Sequence, residues 1–424
     1  MIGTDLVVTC DRMQVGTTSL VGERLSFIYA PSWLAYAEAF PISMSLPLVS
    51  RRYEPDEAHP FFANLLPEGQ VRIAIAQRLK LTEANDYSML RALGGDCAGA
   101  LSILPRSDFE AKSSQPIGGN YRPLPLAMIG RVPDAHSIYA EVVGEGQTRL
   151  SLAGAQDKLP VFVDHQGALF VPMGEAASNA ILKFPSAQFK SLPENEVLMS
   201  RLATELGLPS CTLTLVHGGG RHRCALVKRD DRFEADDGRT MRLHQEDFCQ
   251  ALKVPPANKY EQDGGPRFAD VFATVQNHST HAARDALALL RWTLFNILAG
   301  NADGHAKNLS LLLRPGGGLE LAPFYDLVCT RAYEPRISRM GAMRIGSSFD
   351  PGQIDARDWR DFAQSIGMSE RLVISELRTL AGSIGTAFAK TKAEFTREHG
   401  KTPVAAIISK VIKEQVRRTM ALLA

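Results

Sequence analysis

The sequence has no C-x-x-C pair, no G-x-x-x-x-G-K-[ST] loop, no excess of charge of one sign and no long unbroken apolar run. Six cysteines, Cys10, Cys97, Cys211, Cys224, Cys249 and Cys329, are scattered along the chain. That spacing argues against a disulfide framework or a zinc–thiolate centre and fits reduced cytoplasmic thiols. Lys plus Arg number 47 and Asp plus Glu 46, a net charge of +1, so a global basic field for coating nucleic acid is excluded. From Arg331 onward 16 basic residues face 10 acidic ones, a bias read here as a solvated helical face. Met1–Arg12 has no basic leader, and Asp5 interrupts its one apolar stretch, so it is not a signal peptide. Ala286–Leu298 is interrupted by Arg291 and is too short to span a bilayer. The expectation is a cytoplasmic protein with no membrane partner.

What is present is ordinary globular material. The 424 residues are 45% hydrophobic and 22% charged, enough for about three folded units. Asp5–Cys10, Leu25–Tyr29 and Ala100–Leu104 read as strands, followed by a Ser-, Pro- and Gly-rich linker over 106–123. Arg149–Ala153, Lys158–Val163, Ala168–Val171 and Ala180–Phe184 read as further strands. A helix opens at Pro193-Glu194 and is closed by Gly207. Cys211–Val216 and Cys224–Lys228 flank a Gly218-Gly219-Gly220 turn, and a charged link runs from Arg229 to Arg239. His244–Leu252 and Arg284–Leu298 read as helices, Leu309–Leu313 and Leu319–Ala322 as a hairpin, and the chain from Asp355 onward as helical. These boundaries divide the chain into 1–105, a strand-rich lobe over 122–233 and a helical lobe over 240–424.

The chemistry-bearing pattern lies between Asn301 and Asp326. An apolar helix ends at Gly300, the loop reads N-A-D-G-H-A-K-N, and a hairpin then delivers Phe324-Tyr325-Asp326. Phosphoryl transfer needs a carboxylate beside the attacking hydroxyl, and an amide oxygen with a second carboxylate to hold Mg²⁺ against the phosphates. Asp303 and Asn308 have the D-x-x-x-x-N spacing of that pair, and Asp326 follows at the place of the second carboxylate. Taken alone, each is an ordinary loop residue, and His305 an ordinary structural histidine; the ordered set points to chemistry. Lys183, in the apolar run I-L-K-F, needs a polar partner for its ammonium, and Glu196 at the start of the next helix is the natural one. Small residues in Ser151–Lys158 would let backbone N–H groups approach phosphate.

Together these stretches resemble the HipA family of bacterial toxin serine/threonine kinases. The matching segments are F-F-A-N-L-L-P-E-G (61–69), S-L-A-G-A-Q-D-K (151–158), L-H-Q-E-D-F-C-Q-A-L (243–252), K-Y-E-Q-D-G-G-P (259–266), N-A-D-G-H-A-K-N-L-S (301–310) and P-F-Y-D (323–326). The resemblance implies an α+β, two-lobed protein-kinase-like fold with an extra small N-terminal α+β subdomain and an all-helical C-terminal lobe. It implies Asp303 as catalytic base, Asn308 and Asp326 as Mg²⁺ ligands, and Lys183 on the phosphates of ATP. Ala153, Gly154, Ala155, Gln156, Asp157 and Lys158 would form the phosphate loop. Lys228, Arg229 and Asp230 would form the adenine hinge, with His305 and Tyr325 lining the site. Ser151 would be the site of inhibitory autophosphorylation. The implied partners are a HipB-like helix-turn-helix antitoxin, operator DNA mainly through that antitoxin, and glutamyl-tRNA synthetase as protein substrate. One departure stands in the hinge, V-K-R-D-D-R over 227–232, where the family pattern has an acid and an aromatic in place of Lys228 and Asp230. Two other classes remain open on the sequence: a small-molecule phosphotransferase of the aminoglycoside-kinase type, and a non-enzymatic ATP-binding corepressor.

Overall fold

The computed structural model describes residues 5–113, 120–131, 134–143, 156–173, 176–220, 222–236 and 238–423. The strand expected at Arg149–Ala153, and with it Ser151, Ala153, Gly154 and Ala155, lies outside the described residues.

Alternating apolar positions in the first hundred residues build a five-stranded antiparallel sheet. Its order is Arg52–Tyr53, Arg24–Tyr29, Met13–Val21, Asp5–Cys10 and Leu101–Pro105. Helices Pro55–Ala63, Gly69–Leu79 and Asp86–Leu93 accompany it, with Phe27, Tyr53, Phe61 and Phe62 in its core. The linker expected over 106–123 contains regular structure. Arg106–Ser113 is helical, and Asn120–Pro123 is an edge strand of the next sheet.

The second sheet has six antiparallel strands. Its order is Leu213–His217, Arg223–Lys228, Ala180–Lys183, Lys158–Val163, Leu169–Met173 and Asn120–Pro123. Lys158 and Lys183 are register partners across adjacent strands, so the pleat places two lysines side by side. The helix Leu192–Glu205 packs on this sheet, and Gly207, at φ +76°, ends it in the left-handed region.

The third unit is mostly helical, built on the buried helix Ala282–Ala299 and the long helices Glu370–His399 and Pro403–Leu422. It is not all-helical. His244–Asp247, Ser310–Leu313 and Leu319–Leu321 form a three-stranded sheet. The stretch His244–Leu252, expected as one helix, is a strand followed by the single turn Phe248–Ala251. Asp247 causes the break: its carboxylate accepts the Gln250 N–H, and Gln250 Oε1 accepts the Asp247 N–H, a reciprocal helix start.

The expected charged link at Arg229–Arg239 begins instead as a buried clamp. Arg229 and Arg232 reach Asp96 and Asp231, tying the N-terminal unit to the end of the second sheet. A second dock uses Glu246, whose two carboxylate oxygens accept the Met44 N–H and the Ser43 hydroxyl at 2.9 and 2.6 Å. Beside it His244 Nε2 lies 2.7 Å from the Ile42 carbonyl. Among the described residues no helix is long and apolar enough to cross a membrane.

Candidate active site

The helix Ala282–Ala299 carries the loop 301–308 at its C-terminal end. Gly300 terminates it at φ +71°, where an added Cβ would lie 2.5 Å from Val411; both space and conformation call for glycine. The loop is then held by its own polar groups. Asn301 Oδ1 accepts the Asp303 N–H at 3.1 Å, Thr330 Oγ1 accepts the Ala302 N–H at 2.7 Å, and Asn308 Nδ2 donates to the Asp303 carbonyl at 2.8 Å. The D-x-x-x-x-N spacing is thus the span of a closed turn. The Asn308 amide nitrogen is used internally, which leaves Oδ1 as the side-chain atom that could face a ligand.

Asp326 follows the hairpin. The Phe324 N–H and carbonyl pair with the Pro209 carbonyl and the Cys211 N–H at 2.8 and 3.0 Å, fixing the approach. Asp326 then adopts φ +54°, an uncommon conformation for a non-glycine residue that is held by its surroundings. Its Oδ1 contacts Lys183 Nζ, which also contacts Glu196 Oε1. Glu196 sits on a helix anchored to the segment after Asp326. Asn195 Nδ2 donates to the Cys329 carbonyl at 3.0 Å, and the Cys329 N–H donates back to Asn195 Oδ1 at 2.9 Å.

The lysine is 4% exposed and the glutamate 1%. Burial pushes the Lys183 ammonium toward neutrality, but Asp326 and Glu196 outweigh it and hold the pKa above the ordinary lysine value. Burial raises the Glu196 pKa despite Lys183. It would raise that of Asp326 too, yet Lys183 and Lys158 hold the carboxyl below the usual range. Burial, helped by the Lys183 charge and opposed by Asp326, Glu196 and Glu68, brings Lys158 down to about 8. Glu196 Oε2 is buried with no hydrogen-bond partner.

These groups line one cavity of about 800 Å³ between the lobes. Gln156, Asp157, Lys158, Lys183, Lys228, Asp230, Asp303, His305, Asn308, Tyr325 and Asp326 all border it. His305 is buried, with Nε2 3.8 Å from Asp303 Oδ1, and burial lowers its pKa. Tyr325 braces the loop: its hydroxyl donates to the Lys307 carbonyl at 2.8 Å and lies 2.6 Å from Ser310 Oγ. Asp230 is pushed up to about 6, mainly by burial and then by Asp231. Lys228 is exposed at the rim. Arg229 also borders the cavity. Its guanidinium is spent on Asp231, Asp96, Ser178 and the Cys97 carbonyl.

Four residues with no role assigned from sequence also meet here. The Tyr260 hydroxyl donates to Asp303 Oδ1 at 2.6 Å. Glu68, from the N-terminal unit, lies 2.7 Å from Lys259 and 2.7 Å from Lys307. The available signal was that Tyr260 and Glu68 fall inside the K-Y-E-Q-D-G-G-P and F-F-A-N-L-L-P-E-G segments. An Asn–Asp oxygen pair at a cavity edge, with carboxylate charge in excess of what Lys183 alone balances, fits a hard divalent cation such as Mg²⁺.

Residues 6–104 match the HipA N-terminal domain and residues 150–388 the HipA-like C-terminal domain. A putative kinase of Sinorhizobium fredii, Y4mE, is 41% identical over 369 residues, 86% of each chain. The serine/threonine-protein kinase toxin HipA of Shewanella oneidensis is 32% identical over 378 residues, 85% of this chain and 83% of that one. The solved structure of a Shewanella oneidensis HipA, in complex with HipB and operator DNA, superimposes with a TM-score of 0.81 at 27% identity over 98% of both chains. The chain belongs to the HipA family of serine/threonine kinases.

Proposed function

We propose that this kinase is a growth-inhibiting toxin that acts in the cytoplasm and transfers the γ-phosphate of ATP to a hydroxyl of an aminoacyl-tRNA synthetase, the glutamyl enzyme by family resemblance. Asp303 accepts the proton of the attacking hydroxyl as its oxygen bonds to the γ-phosphorus. The bond from that phosphorus to the β–γ bridging oxygen breaks, and ADP leaves. Asn308 and Asp326 hold Mg²⁺, which neutralises charge on the phosphates when bound. Lys183, aimed by Glu196, meets the α- and β-phosphates. Ala153–Lys158 wraps them, and the main chain of Lys228–Asp230 borders the adenine. The observation that carries this reading is the contact of Lys183 with both Glu196 and Asp326 in the cavity that Asp303 and Asn308 also line. The reading divides the chain at 1–105, 122–233 and 240–424; one apolar core stays within the first unit and one within the second, while the largest runs from Val197–Val227 of the second unit into the helical one. The aminoglycoside-kinase alternative lacks an observation in its favour.

A HipB-like antitoxin, and operator DNA through it, are the proposed partners, by analogy with the Shewanella complex. Ser151 is the proposed site of self-phosphorylation. A phosphoserine there adds about −1.5 to −2 charges beside the triphosphate and switches the enzyme off. Two mass-spectrometric measurements test these statements. Phosphopeptides from cells induced for wild type against Asp303→Ala should include a synthetase peptide only with wild type. Purified protein given Mg²⁺ and ATP should gain one phosphate on the Ser151 peptide, absent in Asp303→Ala. An identical phosphopeptide set in both strains rejects the substrate reading. Phosphorylated protein that binds ATP as tightly as unmodified protein rejects the off-switch.

A further inference from the structure

Asp303 is gripped from a side that phosphate chemistry does not explain. Its carboxylate is 48% exposed, as an acceptor of a substrate proton must be. Yet Oδ1 is already engaged by the Tyr260 hydroxyl at 2.6 Å. Burial, followed by Asp303 itself, raises the Tyr260 pKa well above the ordinary tyrosine value, so the hydroxyl stays a donor. The tyrosine is itself held. Its carbonyl accepts the Asp263 and Gly265 N–H groups at 3.0 and 2.9 Å. A Cβ on Gly265 would fall 2.1 Å from the Asn258 carbonyl, so the turn closes only with glycine there. The Tyr260 ring packs edge-on against His305, with centroids 5.3 Å apart.

The residues that flank this grip are lysines: Lys259 precedes Tyr260, and Lys307 precedes Asn308. Lys307 is 7% exposed. Glu68 meets both ammonium groups, and burial alone would raise its pKa, but Lys307 and Lys259 bring it down to about 2. Lys307 also donates to the Asn64 carbonyl at 3.1 Å, and Asn64 Nδ2 donates to the Val254 carbonyl at 2.8 Å. The segment 64–68 of the N-terminal unit is therefore wedged between the two stretches that carry Tyr260 and Asn308. Without the Glu68 charge, two ammonium groups lining the same cavity as Asp303 lose their shared counterion, and the next anion near Lys307 is Asp247 at 4.0 Å.

We propose that Tyr260 and Glu68 are positioning residues for Asp303, Tyr260 by holding Oδ1 so that Oδ2 faces the substrate hydroxyl, and Glu68 by pinning Lys259 and Lys307 on either side. The N-terminal unit is then a working part of the phosphoryl-transfer machinery. This rests on the reading of Asp303 as the proton acceptor. The same hydrogen bond has an opposite explanation, in which Tyr260 stands in for the substrate hydroxyl and blocks the site.

The experiment uses the full chain with Mg²⁺ and γ-labelled ATP, counting phosphate on protein plus phosphate released. Tyr260→Phe removes one oxygen from a half-buried ring and leaves packing intact. It should lower kcat about 10-fold, the scale of one hydrogen bond to a charged group, with KM for ATP and Tm unchanged. In an Asp303→Ala background the same substitution should change nothing further, which a general structural role would not produce. Glu68→Gln should also lower kcat at constant KM for ATP, and the double variant should lose less than the product of the single losses. Glu68→Asp, which keeps the charge, should recover part of the loss. A wild-type kcat in Tyr260→Phe overturns the proposal, and an increased kcat replaces it with the blocking explanation. If Asp303→Ala itself stays active, the site reading fails; if Asp303→Ala is dead and Tyr260→Phe is normal, this inference alone fails.

Discussion

Two buried charge networks adjoin the strand Arg223–Lys228, one through Lys183 on the neighbouring strand and one through Arg229 at its end, and they are built to different standards. In the clamp, Arg229 places five hydrogen bonds on Asp231, Asp96, Ser178 and the Cys97 carbonyl. Arg232 reaches Asp96 at 2.9 Å, the Gly99 carbonyl at 2.9 Å and the Ser178 carbonyl at 3.2 Å. The Gly99 N–H closes the set on Asp231 at 2.7 Å, and none of these side-chain atoms is left buried without a partner. In the cleft, Lys183 serves two carboxylates, Glu196 Oε2 has no partner, and Asp326 sits in a left-handed conformation. A fully satisfied network rigidifies. A partly satisfied, strained one bordering a cavity is what a site awaiting charged ligands looks like. Burial and charge alone would not have told the two apart; the unmet hydrogen-bonding capacity does.

That contrast can be broken from either side. The largest effect expected is Lys183→Met, which should cut phosphoryl transfer by about 10²–10³-fold, the cost of deleting one preorganised charge contact. Circular dichroism and Tm should stay close to wild type, because the Asp326 side chain is open to the cavity and the buried Glu196, whose pKa burial already raises, can take up a proton. A variant that unfolds instead would place Lys183 with the clamp. Asp96→Ala should behave the other way. It leaves the buried Arg229 and Arg232 to share Asp231 alone, and breaking a buried pair costs about 3–5 kcal/mol. Urea denaturation should show that loss, while ATP turnover per folded molecule is retained. Turnover lost with stability intact would contradict the assignment.

A smaller, pH-dependent effect sharpens the same comparison at the second dock. His244 is buried, its Nε2 paired with the Ile42 carbonyl and its Nδ1 without a partner. Burial lowers its pKa from 6.5 to about 4. The folded protein thus resists a proton that the unfolded chain takes readily. Its contribution is fully present above pH 6.5 and is lost as pH falls toward 4. His244→Gln should flatten the Tm-against-pH curve between 6.5 and 4. An unchanged slope would show that His244 does not carry it.

The cleft network was legible in the sequence where its parts are local. Asp303 and Asn308 share one turn, Asp326 follows one hairpin, and Lys183 and Glu196 sit on adjacent elements, so spacing and polarity sufficed. The clamp was not legible, because Asp96 and Arg232 are 136 residues apart and a run of charges reads as a solvated link unless its distant partner is known. Glu68 and Tyr260 escaped for the same reason; Glu68 lies in a different folded unit from the lysines it pairs. The misread helix at 244–252 has a local cause instead. Helical apolar periodicity continued across Asp247, whose capping side chain starts a new element there.

The most direct test of the account is label transfer from Mg²⁺ and γ-labelled ATP by purified Asp303→Ala, alongside its Tm. General-base loss costs about 10²–10⁴-fold, so transfer should fall by at least that range with Tm unchanged. Folded Asp303→Ala that incorporates phosphate at the wild-type rate would contradict the assignment of this cleft.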